Sequence, residues 1–263
     1  MEYPFIFPMF SISDWSRIMK SLFAPICLSL TLLLSSTVNA DVYDDAVANP
    51  NRPTADRERD SSSKPAEVLR FSGIKADDTV VDLFGGGGYN TELLAAVVGS
   101  GGTVYLHNNA SYVGFTGEAI TERVAGNRLT NVRRMDAELE LLPLQNDSVD
   151  VIWISMAYHD AYWINDGWTV TADTLFPSIL RVLKPGGAVL VIDHHAPAGT
   201  GSSHAGDLHR IDAAFARQDF ESHGFRFVAE SDLLENPDDP LDINVFDGAI
   251  QGNTSRFVYR FTK

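Results

Sequence analysis

Val80 to Thr91 read VVDLFGGGGYNT: an apolar run ending in an acid and Phe84, then four consecutive glycines, then a helix-like segment that continues as ELLAAVV. Four glycines in a row mark a backbone that turns tightly or lets another group approach closely. A strand, a glycine turn and a helix together present backbone N–H groups to a ligand beyond the strand end. A dinucleotide site would place G-x-G-x-x-G there. Gly85–Gly88 supply its first two glycines, but Asn90 or Thr91 then occupies the place of the third. Asp82 argues more strongly against a pyrophosphate, because a carboxylate at the strand end repels an anion and favours a ligand carrying positive charge. S-adenosylmethionine, with its ammonium and sulfonium, has that charge.

Outward from this stretch, β-rich runs alternate with helical segments. Strands are expected at 79–83, 103–106, 132–135, 149–155 and 188–192, with helices near 91–98, 116–125 and 172–183. Such alternation predicts a doubly wound α/β domain with a mostly parallel sheet. A helix before the first strand is expected to start at Ser63 as cap, with Pro65 in its first turn. After Ile192, Leu208, Ile211 and Phe215 suggest one helix face. The runs 225–231 and 255–262 then read as an antiparallel C-terminal hairpin around a loop insertion, ENPDDPLDINVFDGAIQGN. Residues 64–263 are expected to form one domain, preceded by a loose, polar lead-in over 41–63.

The sequence resembles the class I S-adenosylmethionine-dependent methyltransferases. Their first motif, an acid followed by G-x-G-x-G, aligns with Asp82, Gly86 and Gly88, while Phe84 replaces the first glycine. Met135-Asp136-Ala137-Glu138, followed by Leu142-Pro143-Leu144 and Asp147–Val151, resembles the family stretch GDAEELPFPDNSFDLV, and Arg181–Gly187 matches its RVLKPGG turn. The resemblance implies S-adenosyl-L-methionine as cofactor, with contacts from Asp82, Phe84, Gly86, Gly88, Asn108, Asp136, Ala137 and Ser155. Asp136 is the expected acceptor for the adenine amino group. Asn108 stands where the family usually has a ribose-chelating acid, and a neutral amide makes the weaker contact. The chain is also similar to a signal-peptide-bearing branch of predicted methyltransferases with YHD, DH-x-A and HRID segments.

Strands four and five are neighbours in this fold, so Tyr158-His159-Asp160 and Asp193-His194-His195 are expected to meet at the ligand. Adjacent strand residues face opposite ways, so His194 and His195 are not expected to share one site. An imidazole oriented by a carboxylate suits a general base, with His159 paired to Asp160 or Asp193, and His194 nearby. The same residue types with His209 would also suit a metal, and a role in capping strand ends is a third possibility. Tyr158, Tyr162, Trp163 and Trp168 would wall an apolar substrate or fill a small core. A methyl transfer to a small molecule is the expected function. A metal-dependent enzyme, such as a hydrolase, and a non-catalytic nucleoside-binding module are its rivals.

The 263 residues carry a net charge of −15 and no basic cluster, which argues against nucleic acid as a partner. Leu22–Leu34 is an apolar run too short to span a bilayer comfortably, preceded by Arg17 and Lys20 and followed by small residues up to Ala40. This is the pattern of a secretory signal peptide over residues 1–40, with Met19 as a second candidate start. Export to the periplasm or medium, without a lasting membrane anchor, is the expectation. The only cysteine, Cys27, lies inside that run.

Overall fold

The computed structural model describes residue 1, residues 41–165 and residues 167–263. The expected leader, apart from Met1, lies outside the described residues, as does the expected cut after Ala40. Among the described residues no helix is long and apolar enough to cross a membrane. Seven strands form one sheet in the order β3-β2-β1-β4-β5-β7-β6. They are β1 (Thr79–Leu83), β2 (Thr103–Asn108), β3 (Val132–Asp136), β4 (Val149–Ser155), β5 (Leu183–His194), β6 (Arg226–Ser231) and β7 (Arg256–Thr262). Strands β1 to β5 are parallel, and β7 runs antiparallel to both β5 and β6. The helices are α1 (Val42–Ala48), α2 (Thr54–Ser63), α3 (Pro65–Ser72), α4 (Tyr89–Val98), α5 (Ala110–Val124), α6 (Ala172–Val182) and α7 (Ala213–Ser222). This is the doubly wound α/β architecture with an antiparallel C-terminal hairpin that the sequence predicts.

Strand parity decides which side chains reach which layer. Val80 packs with α1, α3 and α4, whereas Val81 and Leu83 pack with α6 and α7. Asp82 therefore shares Val80's face and points toward α4. On β5, Val189 and Val191 join the α6–α7 core while Leu190 and Ile192 join the other. Asp193 and His194 consequently turn to opposite faces of the sheet. Helix α6 is fixed by a capping box at Thr171 and buries Leu175, Phe176, Ile179 and Val182. Each such side chain stabilises the fold by about 1.5–3 kcal/mol on burial.

Several local expectations are corrected. Residues 41–63 are largely helical, as α1 and α2. Ser63 closes α2 instead of capping α3; Lys64 (φ 42°) joins the two helices, and Pro65 does open α3. Lys184–Gly187 belong to β5, which is bulged against β4 between Val149 and Val151, and Gly186 (φ 76°) provides the required left-handed backbone. Leu208, Ile211 and Phe215 do not form one helix. Ile211 bridges to His195, and Asp212 caps α7 by accepting from the Ala214 N–H. The insertion after β6 is a loop as expected. It is held by Arg210, fully buried, which donates from Nη1 and Nη2 to the Asp239 carboxylate at 2.9 Å each and from Nε to Ile243 O.

Candidate active site

A cavity of about 770 Å³ opens beyond the carboxyl ends of β1, β4 and β5, where the strand order reverses between β1 and β4. That is the usual ligand position in such sheets, and the volume suits a small molecule. The glycine turn forms one wall. A Cβ on Gly85 would lie 2.6 Å from Asp82 Oδ2, and one on Gly87 would lie 3.2 Å from Ala119 Cβ. Gly86 (φ 58°) and Gly88 (φ 83°) take left-handed backbone that side chains resist. The Gly86 N–H donates to Asn108 Oδ1 (3.0 Å), and Asn108 Nδ2 donates back to Gly86 O (3.1 Å).

Phe84, where the motif has glycine, adopts φ 55°. Its N–H donates to His107 Nδ1 at 3.3 Å, and His107 Nε2 lies 2.9 Å from Ala137 O. A ring accepting at Nδ1 must donate from Nε2, so His107 is neutral; burial pushes its pKa down to about 4. The Phe84 ring packs 5.0 Å from Tyr112 and borders the cavity.

Asp82 is buried at the floor. Its Oδ2 accepts from Thr91 Oγ1 at 2.5 Å, whereas its Oδ1 has no hydrogen-bond partner among the described residues. Burial pushes the pKa up to about 7, against the opposing hydrogen bond from Thr91. A buried carboxylate with one unsatisfied oxygen, beside backbone stripped of side chains, fits a ligand with a cationic group.

On the other side of the cavity stands His159, in a short 3-10 turn (His159–Tyr162) after β4. Asp193, at the end of β5, accepts from the His159 N–H (2.7 Å) and lies 2.8 Å from His159 Nδ1. His159 Nε2 is left 3.4 Å from Asp160 Oδ1, beyond a well-formed hydrogen bond. Asp160 Oδ2 accepts from the Tyr112 hydroxyl at 2.5 Å. Burial disfavours a charged His159, but Asp193 and Asp160 outweigh it and raise the pKa. Asp193 shows the reciprocal effect: burial raises its pKa, and His159 more than offsets that and holds it low. Burial raises the pKa of Asp160. His209, held at φ 54°, brings its ring to 5.4 Å from that of His159. Donor atoms of His159, Asp160 and His209 all lie within 4.8 Å of one another.

Residues 63–212 match the ubiE/COQ5 methyltransferase family. The chain belongs to that family. A curated relative, the ubiquinone/menaquinone biosynthesis C-methyltransferase UbiE of Stutzerimonas stutzeri (strain A1501), is 30% identical over 178 residues, covering 65% of this chain and 64% of that protein. The chain thus spans just under two thirds of the length of the curated relatives it matches. The fold is shared with a SAM dependent methyltransferase from Aquifex aeolicus, at TM-score 0.55 and 20% identity over 80% of this chain and 98% of that one. It is shared also with a putative sarcosine dimethylglycine methyltransferase from Galdieria sulphuraria, at TM-score 0.54 and 16% identity over 77% and 85%. S-adenosylmethionine is the cofactor that goes with this family, and Asp82 and the glycine turn fit it.

Of the expected family contacts, Asp82, Phe84, Gly86 and Ser155 border the cavity. Asn108 does not: both ends of its amide hold Gly86, so it shapes the turn instead of reaching a ribose. Ala137 is likewise occupied, its N–H donating to Asn108 O and its carbonyl facing His107. Asp136 is turned away as well. It lies on the edge strand two residues from Arg134, whose Nε and Nη2 bind its carboxylate at 2.7–3.0 Å. Gly88 serves as the cap of α4. His159, Asp160 and His194 border the cavity, with Asp193 directly behind His159. His195 packs instead on Phe257. The aromatic segment divides: Trp163 and Trp168 line the cavity, while Tyr158 and Tyr162 donate to Asp219.

Sequence reasoning missed Tyr112, Phe115 and Arg123 on α5, Asp56 on α2, and Val245 and Phe246 from the insertion, all of which border the cavity. Arg59 on α2 also borders it. Asp56 is fixed by Arg123 Nη1 at 2.6 Å, and Arg123 also holds Glu92. An acidic residue in α2 and an arginine in α5, 67 positions apart, give no local signal of their pairing.

Proposed function

We propose that the chain is an S-adenosylmethionine-dependent methyltransferase for a small-molecule acceptor, with His159 as the general base that takes the acceptor's proton. The observation that supports this most is the His159 ring held at Nδ1 by Asp193, with Nε2 turned toward the cavity of the glycine turn. When bound, the cofactor supplies a methyl group made electrophilic by its sulfonium. Asp82 Oδ1 and the backbone of Gly85–Gly87 would hold it. His159 Nε2 would receive the proton of an acceptor hydroxyl or amine, and Asp193 would stabilise the imidazolium that forms. Trp163, Trp168 and Tyr112, with the exposed Phe115 and Phe246 at the rim, favour a planar, apolar acceptor. The matched relatives are named for C-methylation in ubiquinone and menaquinone biosynthesis; the acceptor class here is inferred from this aromatic wall. We propose export on the sequence of residues 1–40.

The test is His159→Ala, assayed by S-adenosylhomocysteine release over a panel of small phenols and amines. Affinity for S-adenosylhomocysteine should be retained and turnover should fall by about 10²–10⁴-fold. The base works only when neutral and its pKa is raised, so the wild-type rate should climb with pH through an apparent value above 6.5. Unchanged turnover in the variant rules the base out. The close grouping of His159, Asp160 and His209 favours one alternative, a divalent cation bound at His159 Nε2. Asp193 would then be the carboxylate that orients a metal-binding histidine. In that case a chelator abolishes turnover and His209→Ala loses bound metal; under the base mechanism the chelator has no effect.

A further inference from the structure

The side of the cavity around His159 combines buried carboxylates with aromatic rings. Asp160 and Asp193 are 6% and 0% exposed, and among the described residues the only basic side chain within ion-pair distance of either is His159. The two arginines that border the cavity stand by the glycine turn and α4 instead. Arg123 Nε donates to Gly87 O at 2.9 Å, and the Arg59 guanidinium lies 4.2 Å from the Tyr89 ring centroid. Around Asp160 the rings form a box. The Tyr112 hydroxyl donates to its Oδ2, and Trp168 Nε1 donates to its carbonyl oxygen at 2.8 Å. The Trp168 ring centroid lies 5.9 Å from that of Tyr112 and 4.9 Å from that of Trp163. Trp163 in turn lies 5.6 Å from the ring of His209, which is 5.4 Å from that of His159. Among the described residues Asp160 Oδ1 accepts no well-formed hydrogen bond, with His159 Nε2 3.4 Å away.

We propose that the methyl acceptor is an amine on a flat apolar body, held as its ammonium by the Asp160 carboxylate within the box of Tyr112, Trp163 and Trp168. The inference rests on the methyltransferase reading above and names the class of acceptor within it. Charge decides between the acceptor types that a histidine base can serve. His159 enters the reaction neutral, and the two buried carboxylates then have no cation beside them. Uncompensated buried charge is costly, and an ammonium offsets it. The rings add to the attraction, because an aromatic face within about 6 Å favours a cation. A phenol brings no positive charge, and once its proton is lost it is an anion beside two carboxylates. The amine step balances. His159 Nε2 takes one N–H proton, the nitrogen lone pair forms the new N–C bond, and the methyl–sulfur bond breaks with its electron pair going to sulfur. The product is again an ammonium in the same box, and His159 gives its proton to water.

Two probes isolate the charge: benzyltrimethylammonium and its neutral carbon analogue neopentylbenzene, which share ring and size and cannot be methylated. Both are titrated into the full chain saturated with S-adenosylhomocysteine, with a chelator present so that no metal supplies the positive charge. The cation should bind at least about tenfold tighter than the analogue. Asp160→Asn should cut affinity for the cation about tenfold and leave the analogue within about twofold. Trp163→Leu should weaken the cation about two- to fivefold more than the analogue, which keeps the test open if Asp160→Asn melts early. In the wild type, S-adenosylhomocysteine release should be at least about tenfold faster with phenethylamine than with the matched phenol, para-ethylphenol. Equal affinity for the two probes, binding of neither, cation affinity unmoved in both variants, or faster release with the phenol would overturn the amine class while sparing the cofactor assignment. Wild-type protein that does not bind S-adenosylhomocysteine would overturn both.

Discussion

Asp82→Asn should move stability and ligand affinity in opposite directions. The folded-state pKa of Asp82 is about 7, raised by burial from 3.8. The folded protein therefore binds a proton that the unfolded chain has released anywhere between those values. Stability contributed by this group falls as pH rises through that window. At roughly 1–2 kcal/mol per pH unit, the ionised carboxylate costs the empty fold on the order of 4 kcal/mol at pH 8, and more than half of that cost develops between pH 5 and pH 8. Asparagine removes the charge but needs an acceptor for its amide N–H groups, and an unpaired buried donor costs about 1–3 kcal/mol. Asp82→Asn should therefore be about 1–3 kcal/mol more stable than wild type at pH 8 and no more stable at pH 5. Urea unfolding at the two pH values, without ligand, measures this. Binding should go the other way. The neutral side chain loses its attraction for an ammonium, so S-adenosylhomocysteine affinity should fall about tenfold or more at pH 8. A stability difference that does not change between pH 5 and pH 8 would refute the burial argument. Undiminished affinity in the variant would refute the role of Asp82 as the cofactor's anion.

Two further outcomes follow from the positions of single segments. Asp136→Ala should leave S-adenosylhomocysteine affinity within about twofold, because its carboxylate is engaged by Arg134 on the solvent side of an edge strand; a tenfold loss by calorimetry would restore it as the adenine contact. A fusion of residues 1–45 to a reporter active only outside the cytoplasm should give signal with an N-terminus at Asp41, read by mass spectrometry, and cytosolic retention would refute export.

The parts of the site legible in the sequence are those fixed by strand parity and by backbone conformation. The four glycines announce a turn, and Asp82 is in phase with Val80. His194 and His195 separate because neighbours on a strand must. Asp136 and Asn108 fail for a different reason. Motif position put both at strand ends near the ligand, but a side chain's direction there depends on what else needs it. Asn108 satisfies two backbone groups of Gly86. Asp136 finds Arg134 two residues away on the same face. Helix α2 was hidden because it is polar all round and so lacks an apolar stripe. What fixes it comes from elsewhere: Asp56 to Arg123 on α5, and Asp60 to the Tyr89 hydroxyl at the start of α4. Pairings across such distances in sequence leave no periodic trace. The stretch before α7 misled in the opposite sense, since Leu208, Ile211 and Phe215 have helical spacing while His209 sits at φ 54°.

The alternation on β5 also sends Asp193 and His194 to opposite faces of the sheet. Asp193 turns toward His159 and, with Asp160, makes that region anionic, which is what a group that must accept a proton requires. His194 turns to the other face, next to Arg256 in register. The His194 ring lies 6.2 Å from that of His159. A charge on it would disfavour a proton on His159. Burial prevents this by pushing its pKa down to about 3, with His159 and Arg256 acting in the same direction, so at neutral pH its Nδ1 simply shares a hydrogen bond with Thr254 Oγ1 at 2.8 Å. A neutral imidazole at this position adds no positive charge beside His159.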